Sequence, residues 1–270
     1  MNLALQTAKR LALGPRLSHS YRVRLADGAA DLRAAQALRF EVFNLELDEG
    51  LVHSYDTGLD ADPFDAVCDH LLVEDRASGA VVGTYRLQTG LRAREGLGYY
   101  SEREFDFAPF EAQRAQMLEL GRACIHAQHR SFAVLNLLWK AIATYAHDHG
   151  TRYLVGCSSL TSQDAAAGQQ AWLQLQDRQA PPGWRTQPQA EFRCRPTAAE
   201  RAAAHPKAMQ APPSQTVHIP RLLSAYLALG AGICGPPAID RDFRTIDFLT
   251  WLDVRGPGLA AMTRRWGLGG

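Results

Sequence analysis

The sequence predicts an α/β fold, with one mixed central sheet carrying helices on both faces. Three observations predict it. Strand-like and helix-like runs follow one another as strand, helix, three strands, helix, strand, helix, strands. The run Phe132 to His149 sets Val134, Leu135, Leu138, Ile142 and Tyr145 on one helical face. The short apolar runs flanking it, Leu118 to Ile125 and Tyr153 to Ser158, read as strands.

The elements follow in order. Tyr21 to Leu25 alternates apolar and polar side chains and reads as the first strand. Asp27 or Asp31 then caps a helix through Leu32, Ala35, Leu38, Arg39 and Phe43. The acidic stretch from Glu46 to Pro63 reads as a mobile loop. Cys68 to Glu74 and Ala80 to Leu87 form a hairpin about Ser78-Gly79. Arg92 to Phe110, rich in Gly and aromatics, reads as loop with a short helix near Phe110. Gly150 ends the long helix, because glycine tolerates a left-handed cap. A helix through Ala166, Ala171, Trp172 and Leu175 follows the strand after it. Composition changes at Ala180: Pro, Gln, Ala and Arg to Pro213 suit a linker or surface excursion. Pro220 opens a helix carrying Leu222, Leu223, Tyr226 and Leu229, and strands follow at Ala231 to Cys234 and Phe243 to Val254. The expected organisation is a leader (1–20), a core (21–179), a Pro/Gln-rich excursion (180–216), core-completing elements (217–256) and a tail (257–270).

Composition excludes several classes of function. With 29 basic and 28 acidic residues among 270 the net charge is +1, which gives nucleic acid no electrostatic footprint. The five cysteines lack paired metal spacing and read as buried thiols of a reducing, cytoplasmic compartment. No bound metal or cofactor is expected. No run approaches the roughly 20 apolar residues that span a bilayer. Lys9, Arg10 and Arg16 interrupt Leu3, Leu5, Leu11 and Leu13, so the N-terminus is a poor secretory signal. It reads either as a disordered leader or as an amphipathic helix in peripheral contact with anionic lipid on the inner membrane face.

Chemistry concentrates in Met117-Leu118-Glu119-Leu120-Gly121-Arg122, followed by His126, His129 and Arg130 at the start of the long helix. A strand holding Glu119 and Arg122 sets a potential base beside a fixed cation. A helix start offers unpaired N–H groups and partial positive charge, which suits a phosphate. The structural alternative is an ion pair of Glu119 with Arg122 beside Arg86. His126 reads as structural, and Ser101 as a loop hydroxyl.

Several motifs resemble the acyl-carrier-protein-dependent branch of the GNAT acyltransferase superfamily. They are Leu38-Arg39-Phe40-Glu41-Val42-Phe43, Phe64-Asp65, Cys68-Asp69-His70, Val82-Gly83-Thr84-Tyr85-Arg86-Leu87, Tyr99-Tyr100-Ser101 with Glu104-Phe105, and Glu119 to Arg122. Leu138-Trp139, Gly156-Cys157-Ser158, Gly235-Pro236-Pro237-Ala238-Ile239-Asp240 and Asp247-Phe248-Leu249 extend the likeness. Within that branch the chain is similar to the bacterial ornithine N-acyltransferase (hemolysin-like) group, whose core acyl-homoserine-lactone synthases share.

The resemblance implies a GNAT-like sheet and transfer of a 3-hydroxyacyl chain from acyl-carrier protein to the α-amine of ornithine. It implies catalytic roles for Glu119 and Arg122, and acceptor binding by Arg39, Asp65, Asp69 and Arg86. An Arg fork suits a carboxylate and Asp suits an ammonium, so Arg-to-Lys changes there should be harmful. His129 and Arg130 would meet the donor phosphate. The turn departs from the usual glycine-rich pattern: Ser131 and Phe132 follow Arg130, and Phe132 crowds the approach of a pyrophosphate. That favours the single phosphodiester of a carrier-protein arm over coenzyme A. Phe40, Phe43, Tyr99, Tyr100 and Trp139 are candidates for an acyl tunnel or plain core. Competing expectations are another amino-acid acceptor, lactone formation, and a membrane-disrupting protein, for which the sequence offers no barrel strands or pore helix.

Overall fold

The structure is a computed structural model and describes residues 20–196 and 216–266. Apart from Ser20 the expected leader lies outside the described residues, as do 197–215 and 267–270.

Eight strands form one sheet in the order β1 (Tyr21–Leu25), β2 (Asp69–Asp75), β3 (Val81–Thr89), β4 (Met117–Ile125), β5 (Tyr153–Leu160), β8 (Thr245–Asp253) and β6 (Gly232–Ile233). A short β7 (Ala238–Asp240) also pairs with β8. Among the described strand pairs only β4–β5 is parallel. The main α-helices among the described residues are α1 (Ala29–Phe40), α2 (Gly90–Glu95), α3 (Phe132–Asp148), α4 (Ala165–Gln174), α5 (Arg221–Ala228) and α6 (Pro257–Arg265).

The mixed sheet expected from sequence is therefore the sheet observed. Because successive strand side chains alternate faces, it has two unlike surfaces. Leu71, Val73, Leu87, Leu118, Leu120, Leu154 and Leu252 pack with the α3 stripe of Val134, Leu138 and Ile142 and with Leu259 of α6. Each fully buried Leu there contributes about 1.5–3 kcal/mol. Ser131 caps α3 by accepting from the Val134 N–H at 3.4 Å, and Gly150 leaves the helix at φ 64°. The opposite surface carries α1, α2 and the aromatic cluster Tyr99, Phe105, Phe107, Phe110 and Trp184.

Four expectations are corrected. Neither Asp27 nor Asp31 caps α1: Gly28, at φ 89°, occupies that position, and Asp31 instead binds Arg24 from the first turn. The Glu46–Pro63 stretch, expected as a mobile loop, holds a helical turn at Ser54–Thr57 and brings Asp60 and Asp62 into buried ion pairs. Part of the excursion is packed as well. Trp184 stacks on Phe110 at 5.4 Å, the Thr186 N–H donates to the Cys234 carbonyl at 2.8 Å, and Pro188 bridges to Phe105. Proline there sets an extended path, and Trp184, Thr186 and Cys194 are buried along it. In the expected tail, residues 257–265 form α6.

Candidate active site

In a regular strand, residues three apart face opposite ways, so Glu119 and Arg122 would be separated by the sheet. A bulge in β4 prevents this. Arg86 opposes Gly121 and Thr84 opposes Cys124, which leaves Tyr85 facing two residues, Arg122 and Ala123. Arg122 takes a left-handed backbone (φ 49°), costly for a side chain of its size. The turn directs its guanidinium to the face that Glu119 and Arg86 share.

On that face three arginines from three elements meet three aspartates. Arg39 of α1 grips Asp65 with a fork, Nη1–Oδ1 at 3.0 Å and Nη2–Oδ2 at 2.6 Å, and its Nε lies 2.9 Å from Asp60. Arg86 donates to Asp62 at 2.6 Å and to Asp65 at 3.0 Å. Arg122 donates to Asp60 at 3.2 Å and to Asp62 at 2.9 Å. The charges balance, and the side chains of Arg39 and Asp60 are wholly buried. Burial alone would raise the Asp65 and Asp62 carboxyls. The arginine partners outweigh it and hold both below the ordinary carboxylate range. Asp62 and Asp65 also close a capping box on the turn Pro63–Ala66, which orients both carboxylates. Tyr100 lies against the network, with the Arg122 guanidinium 4.7 Å and the Arg86 guanidinium 5.2 Å from its ring.

Glu119 does not pair with Arg122. Its Oε2 accepts from the Tyr100 N–H and its Oε1 from the Ser101 N–H, each at 2.8 Å, and the Ser101 hydroxyl donates to Oε1 at 2.6 Å. The Cys157 thiol donates in turn to Ser101 Oγ at 3.5 Å. Burial raises the Glu119 pKa despite these bonds and the nearby Arg86 charge. A raised carboxyl is a better proton acceptor near neutrality. The Cys157 thiol is pushed far above its usual range by burial, which keeps it protonated and a poor nucleophile.

Beside this polar face the sheet opens. Parallel pairing of β4 with β5 is limited to Met117–Tyr153, Leu118–Leu154 and Glu119–Val155, although both strands run further. The gap leads to a narrow cleft lined by apolar Leu120, Trp139, Leu154, Tyr226 and Leu252, with Cys157 at its margin. Of the aromatics considered for an acyl tunnel, Trp139 lines it. Tyr99 packs on Phe107, Phe43 on Phe243 and Phe40 on Tyr55, while Tyr100 serves the charged network.

The sequence-derived candidates thus divide. Glu119, Arg122, Arg39, Asp65 and Arg86 converge on one face. Asp69 does not join them: it pairs in register with Leu87, faces α3, receives the Tyr145 hydroxyl at 2.6 Å and binds Arg92 at 2.8 Å. Asp69→Asn should therefore leave the acceptor KM unchanged while costing about 1 kcal/mol of stability; steady-state kinetics and urea unfolding check both. His129 and Arg130 sit in the turn before α3. His129 Nδ1 shares a hydrogen bond with Tyr21 Oη at 3.0 Å, and Arg130 pairs with the carboxylate of Glu46. Both Arg130 and Glu46 remain partly exposed, so an incoming anion has Arg130 within reach. His126, read as structural, lies 3.1 Å from Glu41. Phe132 is 78% exposed.

Sequence reasoning missed Asp60, Asp62, Ser101 and Gln88. Gln88 is the cross-strand partner of Glu119 and is buried with neither amide atom hydrogen-bonded among the described residues. The signal for the aspartates was Asp60-Ala-Asp62-Pro63-Phe-Asp65, acids bracketing a proline that starts a capped turn.

A bulged fourth strand, a parallel neighbour that parts from it and a buried carboxylate at the opening define an acyltransferase of the GNAT class. The acetyltransferase (GNAT) domain family matches residues 38–140. The chain is 36% identical to the L-ornithine N(alpha)-acyltransferase of Rhodobacter capsulatus, over 87% of this chain and 91% of that protein. It is 33% identical to the enzyme of the same name from Brucella abortus, over 87% and 85%. It belongs to the L-ornithine N(alpha)-acyltransferase family. The fold is also that of the AHL synthase LasI (TM-score 0.50, 12% identity, covering 90% of this chain and 94% of that one).

Proposed function

We propose that this enzyme transfers a 3-hydroxyacyl chain from acyl-carrier protein to the α-amine of L-ornithine, the first step of ornithine lipid formation. The observation that carries the reading is Glu119, a buried carboxylate with raised pKa at the point where β4 parts from β5, beside an apolar cleft. Relatives bearing the ornithine acyltransferase name at 36% and 33% identity support the acceptor.

The apolar lining of Leu120, Trp139, Leu154 and Tyr226 suits the start of an acyl chain, with its thioester at the opening. The amine nitrogen attacks the thioester carbon, the C–S bond breaks, and the thiolate leaves. The α-ammonium must first lose a proton. Both Glu119 oxygens are engaged, so that proton travels through Ser101 Oγ or a water to the carboxylate. Beyond Glu119, the β4 edge that faces β5 has no ladder partner, and its N–H groups suit a developing oxyanion. Arg39, Asp65, Arg86 and Arg122 spend their charge on one another and position this site; the acceptor meets other groups. Arg130 and the α3 start would take the donor phosphodiester. Phe132 at the first turn disfavours a pyrophosphate.

The test is a purified assay with ornithine and either 3-hydroxyacyl-carrier protein or the matching acyl-coenzyme A, read by mass spectrometry. N-acylornithine from the carrier protein, with far less from coenzyme A, is expected. Its absence with both donors rejects the activity. Equal rates reject the donor assignment.

A further inference from the structure

Two tyrosines take no part in the chemistry above. Tyr85 of β3 packs in the core that holds Leu71, Leu87 and Leu138. Tyr226 reaches the same core from α5, its ring edge-on to Trp139 at 5.4 Å. The two hydroxyl oxygens lie 2.5 Å apart, and each is the other's only hydrogen-bond partner among the described residues. Burial pushes both phenols above their ordinary range, so both keep their protons.

Counting protons leaves one donor over. Two hydroxyls bring two protons, and the bond between them uses one. Tyr85 is 2% exposed and stands behind the lining of the cleft, so its proton goes to Tyr226. Tyr226 lines the cleft, which gives its own proton somewhere to point. The other polar side chains on that lining are engaged. The Thr250 hydroxyl donates to the Gly156 carbonyl at 2.8 Å, and the Cys157 thiol to Ser101 Oγ at 3.5 Å. A free O–H in apolar surroundings, beside a cleft, calls for an acceptor on the ligand.

The cleft fixes where along the ligand that acceptor sits. Leu120 and Gly156 line it directly after Glu119 and Val155, the last pair of the β4–β5 ladder, where the thioester would lie. Being narrow, it takes the first carbons of the chain. C3 stands two bonds, about 2.5 Å, from the thioester carbon. A hydroxyl there accepts the Tyr226 proton and returns its own to a phenol lone pair, whereas a plain methylene leaves the donor unmet. We propose that Tyr226, backed by Tyr85, reads the oxygen at C3 of the acyl chain and so selects 3-hydroxyacyl donors over unsubstituted ones. The inference rests on the acyl-transfer reading above and assigns the residue that sets its donor preference.

Donors of equal length test it. 3-Hydroxydecanoyl- and decanoyl-carrier protein are compared in transfer to ornithine, and the corresponding S-acyl pantetheines in calorimetric binding without ornithine. Wild type, Tyr226→Phe, Tyr85→Phe and the double variant are ranked by the ratio of kcat/KM for the two donors, which a general loss of packing does not move. The wild type should prefer the 3-hydroxyacyl donor about ten- to a hundredfold, the cost of leaving one buried donor unpaired. Tyr226→Phe should bring that ratio within about threefold of unity, whereas Tyr85→Phe should keep most of it, because Tyr226 retains its proton. The double variant leaves no hydroxyl unpaired, so it should fold as the wild type does and show no preference. A wild type that uses both donors alike overturns the proposal. A preference that persists in Tyr226→Phe or in the double variant overturns it too, as does one lost only in Tyr85→Phe. Selective binding of the 3-hydroxyacyl pantetheine without acyl transfer would leave the tyrosine assignment standing and defeat the proposed function. Transfer without selectivity would defeat the assignment and leave acyl transfer standing.

Discussion

Glu119→Gln lowers kcat by about 10²–10⁴-fold, the usual loss when a positioned general base is removed, with a much smaller change in acceptor KM. The sign of the pH dependence separates the base from a structural prop. Burial raises the Glu119 pKa, so the wild-type rate climbs with pH as the carboxyl ionises through that raised value. In Glu119→Gln that limb disappears. The residual rate then follows deprotonation of the amine, rising about tenfold per pH unit towards the amine's own pKa. Gln retains an oxygen for Ser101 but turns an NH₂ towards the Tyr100 N–H or the Ser101 donors, so about 1–3 kcal/mol of stability is also lost. Stopped assays across pH 5 to 9, with thermal melts of both proteins, make the comparison. If the acid limb survives in the variant and the loss falls mainly on KM, Glu119 only anchors the Tyr100–Ser101 loop.

The part of this site legible in the sequence is the part written in periodicity. The α3 stripe ending at Gly150, and β4 just before it, fix the central strand–helix–strand unit and so locate Glu119. Register is not written that way. Asp69 and Arg86 lie on adjacent strands and look like partners, yet Asp69 opposes Leu87 while Arg86 opposes His70. One residue of register thus sends Asp69 to α3 and Arg86 to the charged face. Arg122 reaches that face only through a bulge, and neither Gly121 nor Ala123 announces one.

Composition misleads at Glu46–Pro63 for a related reason. An acidic run reads as a mobile loop when its partners are out of view, and Arg39, Arg86 and Arg122 come from three separate elements. Local capping around Pro63 was visible, but the three-by-three pairing needs the assembled sheet. The Pro-rich segment misleads in the other direction: proline shapes its path, whereas Trp184 and Thr186 decide that 181–194 packs.

Arg39→Met destabilises the fold by about 3–5 kcal/mol, because it leaves Asp60 and Asp65 buried with a partner fewer. Met fills much of the same volume, so the loss reports charge rather than a cavity. In the wild type Asp65 and Asp62 titrate below their ordinary range. Their stabilisation is complete above the unfolded pKa of about 3.9 and is lost as pH falls through the lower folded values. Without the Arg39 fork, burial dominates at Asp65 and its folded pKa moves up, which reverses the sign: stability then falls as pH rises through that value. The deficit of Arg39→Met relative to wild type should therefore be larger at pH 7.5 than at pH 5. The double variant Arg39→Met/Asp65→Asn removes both ends of the fork and should recover part of the loss at neutral pH. Urea unfolding of the three proteins at both pH values measures this. A deficit below about 1 kcal/mol that is equal at the two pH values would give Arg39 the worth of an exposed ion pair and remove the network as the support that holds α1, β3 and β4 around Glu119.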